Sequence, residues 1–499
     1  MSERTLVVGG GLAGVAAATA LSERGLDVTL FEREAYLGGR AGAWRDTLAD
    51  GTSFSMERGF HAFFRHYDNV RALLRRVDPT LSCLLPLDDY PLLAPFAEPQ
   101  SFVGLPTSTP LNVLALLARS PHVRLRDLVR SNLDRARSLL SYDHDATYRA
   151  LDGMTAREFL DDLRFPAEAR QMLFDVFAHS FFNPEEDFSA AELLGMFHFY
   201  FTGNSRGLVF DVAREPFDQA IWEPLAAHLA RHRAESLRET TVERIERHAG
   251  GWRVVARRGD EVIERDGASL VLAVTVPALQ GIVRSSPALA ALLPAVEPLD
   301  VTLPFAVLRL WLDRPCNPER APFAGTTGFG LLDNISLYER FEGESRAWAH
   351  RTGGSVVELH AYAVPQEASE ASLRAELLEQ MGRAYPETRQ AHVLDERFLL
   401  RQDCPAFRPG SDATRPGVTT AEPTVMLAGD FVKLPFPSAL MERAVASGFL
   451  AANAILERGA RAPVPVVSAS RRGLLAGLDA RLAARRGQHV GRGRTEPVA

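Results

Sequence analysis

Six residues near the start, Gly9-Gly10-Gly11-Leu12-Ala13-Gly14, constrain this chain more than any other stretch. They lie between an apolar run, Thr5 to Val8, and an Ala-rich run, Val15 to Arg24, that is stopped by Gly25. A short strand, a tight turn and a helix therefore follow one another. A second short strand, Asp27 to Phe31, ends on Glu32. This order predicts neighbouring parallel strands joined by a right-handed crossover. Gly9 permits the tight turn, Gly11 leaves room where a pyrophosphate must approach the backbone, and Gly14 lets helix and strand pack closely. Leu12 and Ala13 open the helix, whose free N–H groups and positive end favour phosphate. Glu32, about 20 residues on, is placed to accept hydrogen bonds from the ribose hydroxyls of an adenosine, and its charge disfavours the 2′-phosphate of NADP.

NAD and FAD share this unit, and later residues separate them. Glu32-Arg33 is followed by Leu37-Gly38-Gly39-Arg40, where two glycines let the backbone lie against a cofactor and Arg40 can complement its pyrophosphate or ribityl region. Taken alone, that stretch reads equally well as a surface turn. The second feature is Ala428-Gly429-Asp430, after the buried strand Val425 to Leu427, which sets a carboxylate where a ribityl hydroxyl can donate. A helix from Ser438 to Leu456, containing Met441-Glu442-Arg443-Ala444 and Ser447-Gly448, then points its N-terminus at the flavin N1–C2=O edge. That edge becomes negative on reduction, so a helix N-terminus stabilises reduced flavin. The combination predicts FAD.

The chain has 499 residues, more than one core usually serves, so two or three lobes are expected. The FAD-binding domain is expected to be discontinuous, over 1–80, 235–285 and 420–458. Strand-like pieces at Val242 to Ile245, Trp252 to Ala256 and Leu270 to Val274 mark the chain's return to it. A substrate domain, membrane-facing, takes 81–234 and 286–419, with a Pro- and Leu-rich segment at 84–121, a helical aromatic-rich stretch from Leu125 to Phe201, and strands at Leu303 to Leu312 and Val356 to Tyr362. Its aromatic residues read as core, with Phe181-Phe182 and Phe197 to Phe201 the exceptions that could face a channel. Residues 459–499 form a basic, flexible tail, either a solvated extension or a cationic arm for anionic lipid.

The formal net charge of −7 argues against a nucleic-acid partner. Cys83, Cys316 and Cys404 are widely separated, which provides neither a disulfide framework nor a metal or iron–sulfur cage and reads as cytosolic. His144, His179 and His198 lack metal spacing. The run from Thr5 to Leu21 is Gly- and Ala-rich and is closed by Ser22-Glu23-Arg24, so an export signal or membrane span is not expected.

Gly59-Phe60-His61-Ala62-Phe63-Phe64, with Tyr67 and Asn69 beyond it, and the run Ser438 to Gly448 follow the glycine turn in an order that resembles the flavoprotein group containing the amine oxidases and carotenoid desaturases. Within that group, Glu57 to Tyr67, Arg71 to Pro79 and Gly429 to Pro435 resemble the carotenoid phi-ring synthase (isorenieratene synthase) family, and the resemblance spans most of residues 1 to 460. It implies an α/β fold, an FAD-binding Rossmann-like domain with an inserted mixed α+β substrate domain. It also implies flavin contacts at Gly9, Gly11, Leu12, Ala13, Gly14, Glu32, Arg33, Gly39, Arg40, Gly59, Val242, Gly429, Asp430, Met441, Glu442 and Ala444. The plant-type desaturases usually carry Gly where this chain has Arg443, a departure at the point where backbone and flavin would meet.

The activity so implied converts a beta-ionone end ring, as in beta-carotene, into the aromatic phi ring of isorenieratene, with loss of four hydrogens and a 1,2-methyl shift. His61, in the segment expected beside the flavin, is the candidate proton acceptor; the alternative is a structural histidine bonded to the backbone. The electron acceptor stays open. A long polyene implies peripheral contact with the inner face of a membrane, for which Leu114 and Leu117 in the 84–121 segment are candidates. The rival readings are an acyclic carotene desaturase or isomerase, a flavin amine oxidase, and a non-catalytic prenyl-lipid chaperone of the same fold. The excess of Phe over Tyr, 28 against 9, leans toward an apolar substrate rather than an amine.

Overall fold

A computed structural model describes residues 4–87, 89–101, 103–106, 111, 115, 132–164, 170, 181–204, 206 and 208–476. Its first lobe is built on a parallel sheet of five strands in the order Glu235–Leu237, Val28–Phe31, Thr5–Val8, Ser269–Leu272, Val425–Leu427. Segments far apart in sequence therefore lie side by side. The crossover helix Leu12–Ser22 is buried along its whole length, which explains its alanines: it is squeezed between the sheet and the last helix, Leu440–Arg458. The two helices touch through Gly448, where a Cβ would sit 2.2 Å from the carbonyl oxygen of Ala13. On the other face of the sheet lies an antiparallel meander, Thr241–His248, Gly251–Arg258 and Glu261–Gly267.

The second lobe centres on a seven-stranded sheet in the order Val393–Arg401, Phe305–Leu312, Ser355–Ala361, Asn334–Leu337, Phe323–Thr326, Leu92–Ala94, Ala97–Gln100, antiparallel apart from one central pair. Every residue of Phe305–Leu312 is buried, because both faces of this sheet are covered. Ala306, Leu308, Leu310 and Leu312 face a core shared with the helix Glu370–Ala384, while Phe305, Val307 and Arg309 face the other way, toward the first lobe. The register Arg309↔Glu358 and Val307↔His360 carries polar residues of Ser355–Ala361 onto that same inner face.

Three expectations need adjustment. The segment at 84–121 is not simply a surface stretch: Leu84–Leu87 and Leu92–Ala94 are strands whose leucines at 84, 87 and 92 are buried, while Leu114 and Leu117 lie outside the described residues. The helical stretch before Phe201 is broken into short helices, among them His144–Leu151, Ala156–Leu163 and Ala190–Phe197; His179 lies outside the described residues. The tail, expected to be flexible from residue 459, instead packs along the protein as far as residue 476. Val464 and Asn453 exchange hydrogen bonds, Ser470 O meets His198, and Arg471 and Arg472 pair with Asp145 and Asp143. Acidic partners and open backbone acceptors fix what composition alone suggested was solvated. Residues 477–499 lie outside the described set.

Candidate active site

One cavity of about 740 Å³ runs from the glycine turn into the second lobe. Its first part is lined by Gly9, Gly11, Leu12, Ala13, Glu32, Arg33, Gly39 and Arg40. The Glu32 carboxylate accepts from Gly10 N at 2.7 Å and from Glu34 N at 2.8 Å, which fixes it at the cavity wall with lone pairs to spare. Burial raises its pKa above the ordinary carboxylate value, against those two amides. Gly39 adopts a left-handed conformation, and a Cβ there would stand 3.1 Å from Gly11 Cα, so two glycines face each other where a chain of phosphates could pass. Val242 lies where the meander's ladder breaks, between Val242 and Arg244, and it turns into the cavity with Thr241 and Glu243.

Farther in, Gly429 and Asp430 line the same cavity, and Asp430 Oδ1 lies 2.5 Å from Arg40 Nη2. Ser447 holds this loop by accepting from Gly429 N at 2.8 Å and donating to Ala444 O at 2.7 Å. The N-terminus of the last helix presents Leu440, Met441 and Ala444 to the cavity. Leu440 takes a left-handed backbone (φ 47°) to open that helix, a strained state for a branched residue.

Not every sequence candidate reaches the cavity. Gly14 and Gly59 lie behind it and serve close packing, Gly14 against Gly9 and Gly59 against His360. Glu442 is a correction. One helical step past Met441 turns its side chain away, and it accepts from Asn69 N, Asn69 Nδ2 and Val70 N, so it serves the start of the helix Asp68–Leu74 rather than a cofactor. Burial pushes its carboxyl up to about 7 despite these bonds. Arg443 also points away. It is 5% exposed, pairs with Glu192, donates to Ser438 O and lies over the Phe407 ring. The cation that departs from the expected glycine therefore does not obstruct the cavity. Burial would raise Glu192, yet Arg443 and Arg415 outweigh it and hold the group at about 2.

The far part of the cavity is aromatic: Phe60, Phe64, Tyr90, Phe182, Phe210 and Phe323 line it, with Phe60 stacked on Phe323 at 4.5 Å between ring centres. Phe181, Phe182 and Tyr200 are the suspected channel residues that do face it, whereas Phe197 and Phe201 stack on each other elsewhere. His61 lines the cavity, and its Nδ1 is 2.8 Å from Gly59 O. Burial lowers its pKa to about 4, so it is neutral and holds a proton weakly.

Sequence reading missed the polar end of this chamber. Glu358 and His360 alternate along the strand Ser355–Ala361 and Tyr362 follows directly after its end, and His360 and Tyr362 line the cavity with Asn334 and Asp333. Polar residues at every second position of an otherwise apolar strand were the available signal.

Residues 12–456 match the family described as flavin containing amine oxidoreductase. A carotenoid phi-ring synthase of Streptomyces griseus is 49% identical over 454 residues, 91% of this chain and 87% of that protein. A second carotenoid phi-ring synthase, from Chlorobaculum tepidum, is 27% identical over 93% of this chain and 90% of its own. Among solved structures, putrescine oxidase bound to putrescine superposes with a TM-score of 0.66 at 17% identity, covering 92% of this chain and all of that one, a likeness of fold.

Proposed function

The chain belongs to the flavin-containing amine oxidoreductase family and is an FAD-dependent oxidoreductase, and on that premise we propose that it converts the beta-ionone end ring of a carotenoid, beta-carotene first among them, into an aromatic phi ring. The observation that carries this reading is the single cavity that joins the dinucleotide turn to an aromatic chamber, in a chain 49% identical to a carotenoid phi-ring synthase. A flavin amine oxidase would need a polar or aromatic amine cage; the wall built by Phe60, Phe182, Phe210 and Phe323 is rich in Phe and leans toward an apolar ring.

In this reading FAD is held by Gly9, Gly11, Leu12, Ala13, Glu32, Arg33, Gly39, Arg40, Val242, Gly429, Asp430, Met441 and Ala444, within a domain made of 1–80, 235–285 and 420–458. The paired glycines fit a pyrophosphate, since a Cβ would fill the space it needs. Bound there, FAD supplies a hydride acceptor. The protein's own part is to hold the ring, keep water from the cation that precedes the methyl shift, and accept protons. His61, neutral and bonded to Gly59, orients within this chamber rather than serving as its principal base.

The polyene beyond the ring requires a bilayer or an equivalent apolar host. No helix among the described residues is long and apolar enough to cross a membrane. Peripheral docking through the 84–121 segment is supported by the exposed apolar side chains Phe96, Val103 and Leu111. The test of the central proposal is direct. Cells that accumulate beta-carotene and express this chain should gain an aromatic carotenoid; unchanged beta-carotene alongside intact, flavin-loaded protein would overturn it.

A further inference from the structure

The polar end of the chamber is more than a lining. Tyr362 Oη lies 2.8 Å from His360 Nδ1, and His360 Nε2 lies 2.8 Å from Glu358 Oε1. Glu358 is fully buried and is held by Arg309 Nε at 2.7 Å on its other oxygen and by the Tyr338 hydroxyl at 3.1 Å. Burial alone would raise Glu358, but Arg309 and the bonds from His360 and Arg309 outweigh it and keep the carboxyl ionised, at about 2. Two groups contend for Nε2: the ionised Glu358 carboxylate at 2.8 Å, which can only accept, and the Phe60 N–H at 3.2 Å, which can only donate; the shorter, charge-assisted bond places the Nε2 proton toward Glu358. This leaves Nδ1 unprotonated and facing the Tyr362 hydroxyl. Carboxylate, imidazole and hydroxyl stand in the order by which a hydroxyl is made to give up its proton.

We infer that Tyr362, His360 and Glu358 form the proton-accepting relay of the ring-oxidation reaction, with Tyr362 the catalytic residue at the substrate and His360 and Glu358 positioning it and taking up its charge. The inference rests on the functional reading above. FAD held in this cavity would supply the hydride acceptor of each two-electron oxidation. The second C–H bond then breaks, its electron pair stays in the ring as the new π bond, and its proton passes to Tyr362 Oη as the hydroxyl proton moves to His360 Nδ1. The imidazolium so formed is paired with Glu358. Each round leaves the flavin reduced and His360 protonated, so the second round, which completes the loss of four hydrogens, follows once an external two-electron acceptor has reoxidised the flavin and the proton has left for solvent.

The rest of the site supports this assignment. Burial, with Asp333 beside it, holds the Tyr362 hydroxyl well above its usual range, so a lone tyrosinate is ruled out and a partner that takes the proton is required. Asn334 Nδ2 donates to the same hydroxyl at 3.0 Å and Phe182 packs edge-on against its ring at 4.6 Å, which fixes the oxygen toward the chamber. His61 has the backbone carbonyl of Gly59 where His360 has a carboxylate, so a charge formed on His61 would have no directly bonded counter-charge.

The experiment uses the full-length flavoprotein with beta-carotene in liposomes, comparing wild type with Tyr362→Phe and His360→Gln for flavin content, melting temperature, kcat, KM and the solvent deuterium effect on kcat. The relay predicts a kcat loss of about 10²–10⁴-fold in both variants, with KM and flavin content held within about threefold and a solvent deuterium effect that changes in both. Tyr362→Phe removes one oxygen and decides the matter if His360→Gln does not fold. A Tyr362→Phe protein with near-wild-type kcat and an unchanged solvent effect overturns the relay while leaving the functional reading intact. A flavin-loaded wild type that makes no aromatic product overturns the functional reading, and the relay with it.

Discussion

Arg40 Nη2 lies 2.5 Å from Asp430 Oδ1, so a turn in the first forty residues and a loop 390 residues later close on each other at the cavity wall. Each partner orients the other, and both line the cavity in which we propose the nucleotide is held. Asp430→Asn is expected to weaken FAD binding by about 10–100-fold, the range set by losing one charge-assisted hydrogen bond of roughly 1.5–3 kcal/mol. Titration of FAD into deflavinated protein measures it, and an unchanged affinity would show that Asp430 does not serve the cofactor.

Arg443 and Glu192 form a buried pair that points away from the cavity. Arg443→Gly should therefore leave FAD affinity nearly intact while costing about 3–5 kcal/mol of stability, because Glu192 and the neighbouring polar groups lose their principal counter-charge. Urea unfolding read beside flavin titration separates the two effects. A large loss of affinity in a stably folded variant would contradict this placement.

Gly448 carries the contact between the first and last helices. A Cβ there would come within 2.2 Å of Ala13 O, and Ala13 lies in the cavity-lining first turn of the first helix. Gly448→Ala is expected to cost about 1–3 kcal/mol by forcing the helices apart and to lower flavin occupancy in the purified protein. Thermal unfolding with flavin absorbance reports both.

Burial raises the Glu57 carboxyl to about 8, with Glu342 and Glu358 adding to the shift and Arg309 opposing it. Between the ordinary value of 4.5 and about 8 the folded protein keeps a proton that the unfolded chain has released. Stability thus falls as pH rises through that window. Glu57→Gln, which imitates the protonated group, should flatten this slope. Denaturation midpoints at about pH 5 and about pH 9 test the sign: an equally steep decline in the variant would assign the slope elsewhere.

Phe96 and Val103 are 42% and 52% exposed in the segment that we propose meets the bilayer. Replacing both with Ser should reduce sedimentation with liposomes without lowering flavin content. Equal partitioning of variant and wild type would remove these residues from the docking surface.

The glycine turn, Glu32, the Gly38-Gly39-Arg40 turn and Asp430 were legible because each satisfies a local rule. A sharp turn needs glycine, a ribose needs an acceptor at the end of the next strand, and these distances along the chain are set by strand and helix length. The strand at Val356 to Tyr362 was legible for the same reason, as an apolar run. The use of its polar residues was not: His360 becomes a cavity residue only because Ser355–Ala361 pairs with Phe305–Leu312 in the register that sets Arg309 against Glu358. Glu442 and Arg443 show the converse. Glu442, beside Met441, suggested a flavin contact and Arg443 a departure where backbone and flavin would meet, but helical rotation sends one side chain to Asn69 and the other to Glu192, 251 residues away.

The sequence by itself determined a dinucleotide-type glycine turn near the N-terminus and a second loop near residue 430 suited to face the same cofactor, since short-range geometry and backbone chemistry decide both. Only the tertiary structure decided which side chains share the chamber beyond it. Strand register and helix rotation bring together groups hundreds of residues apart, and burial then decides which of them stay charged.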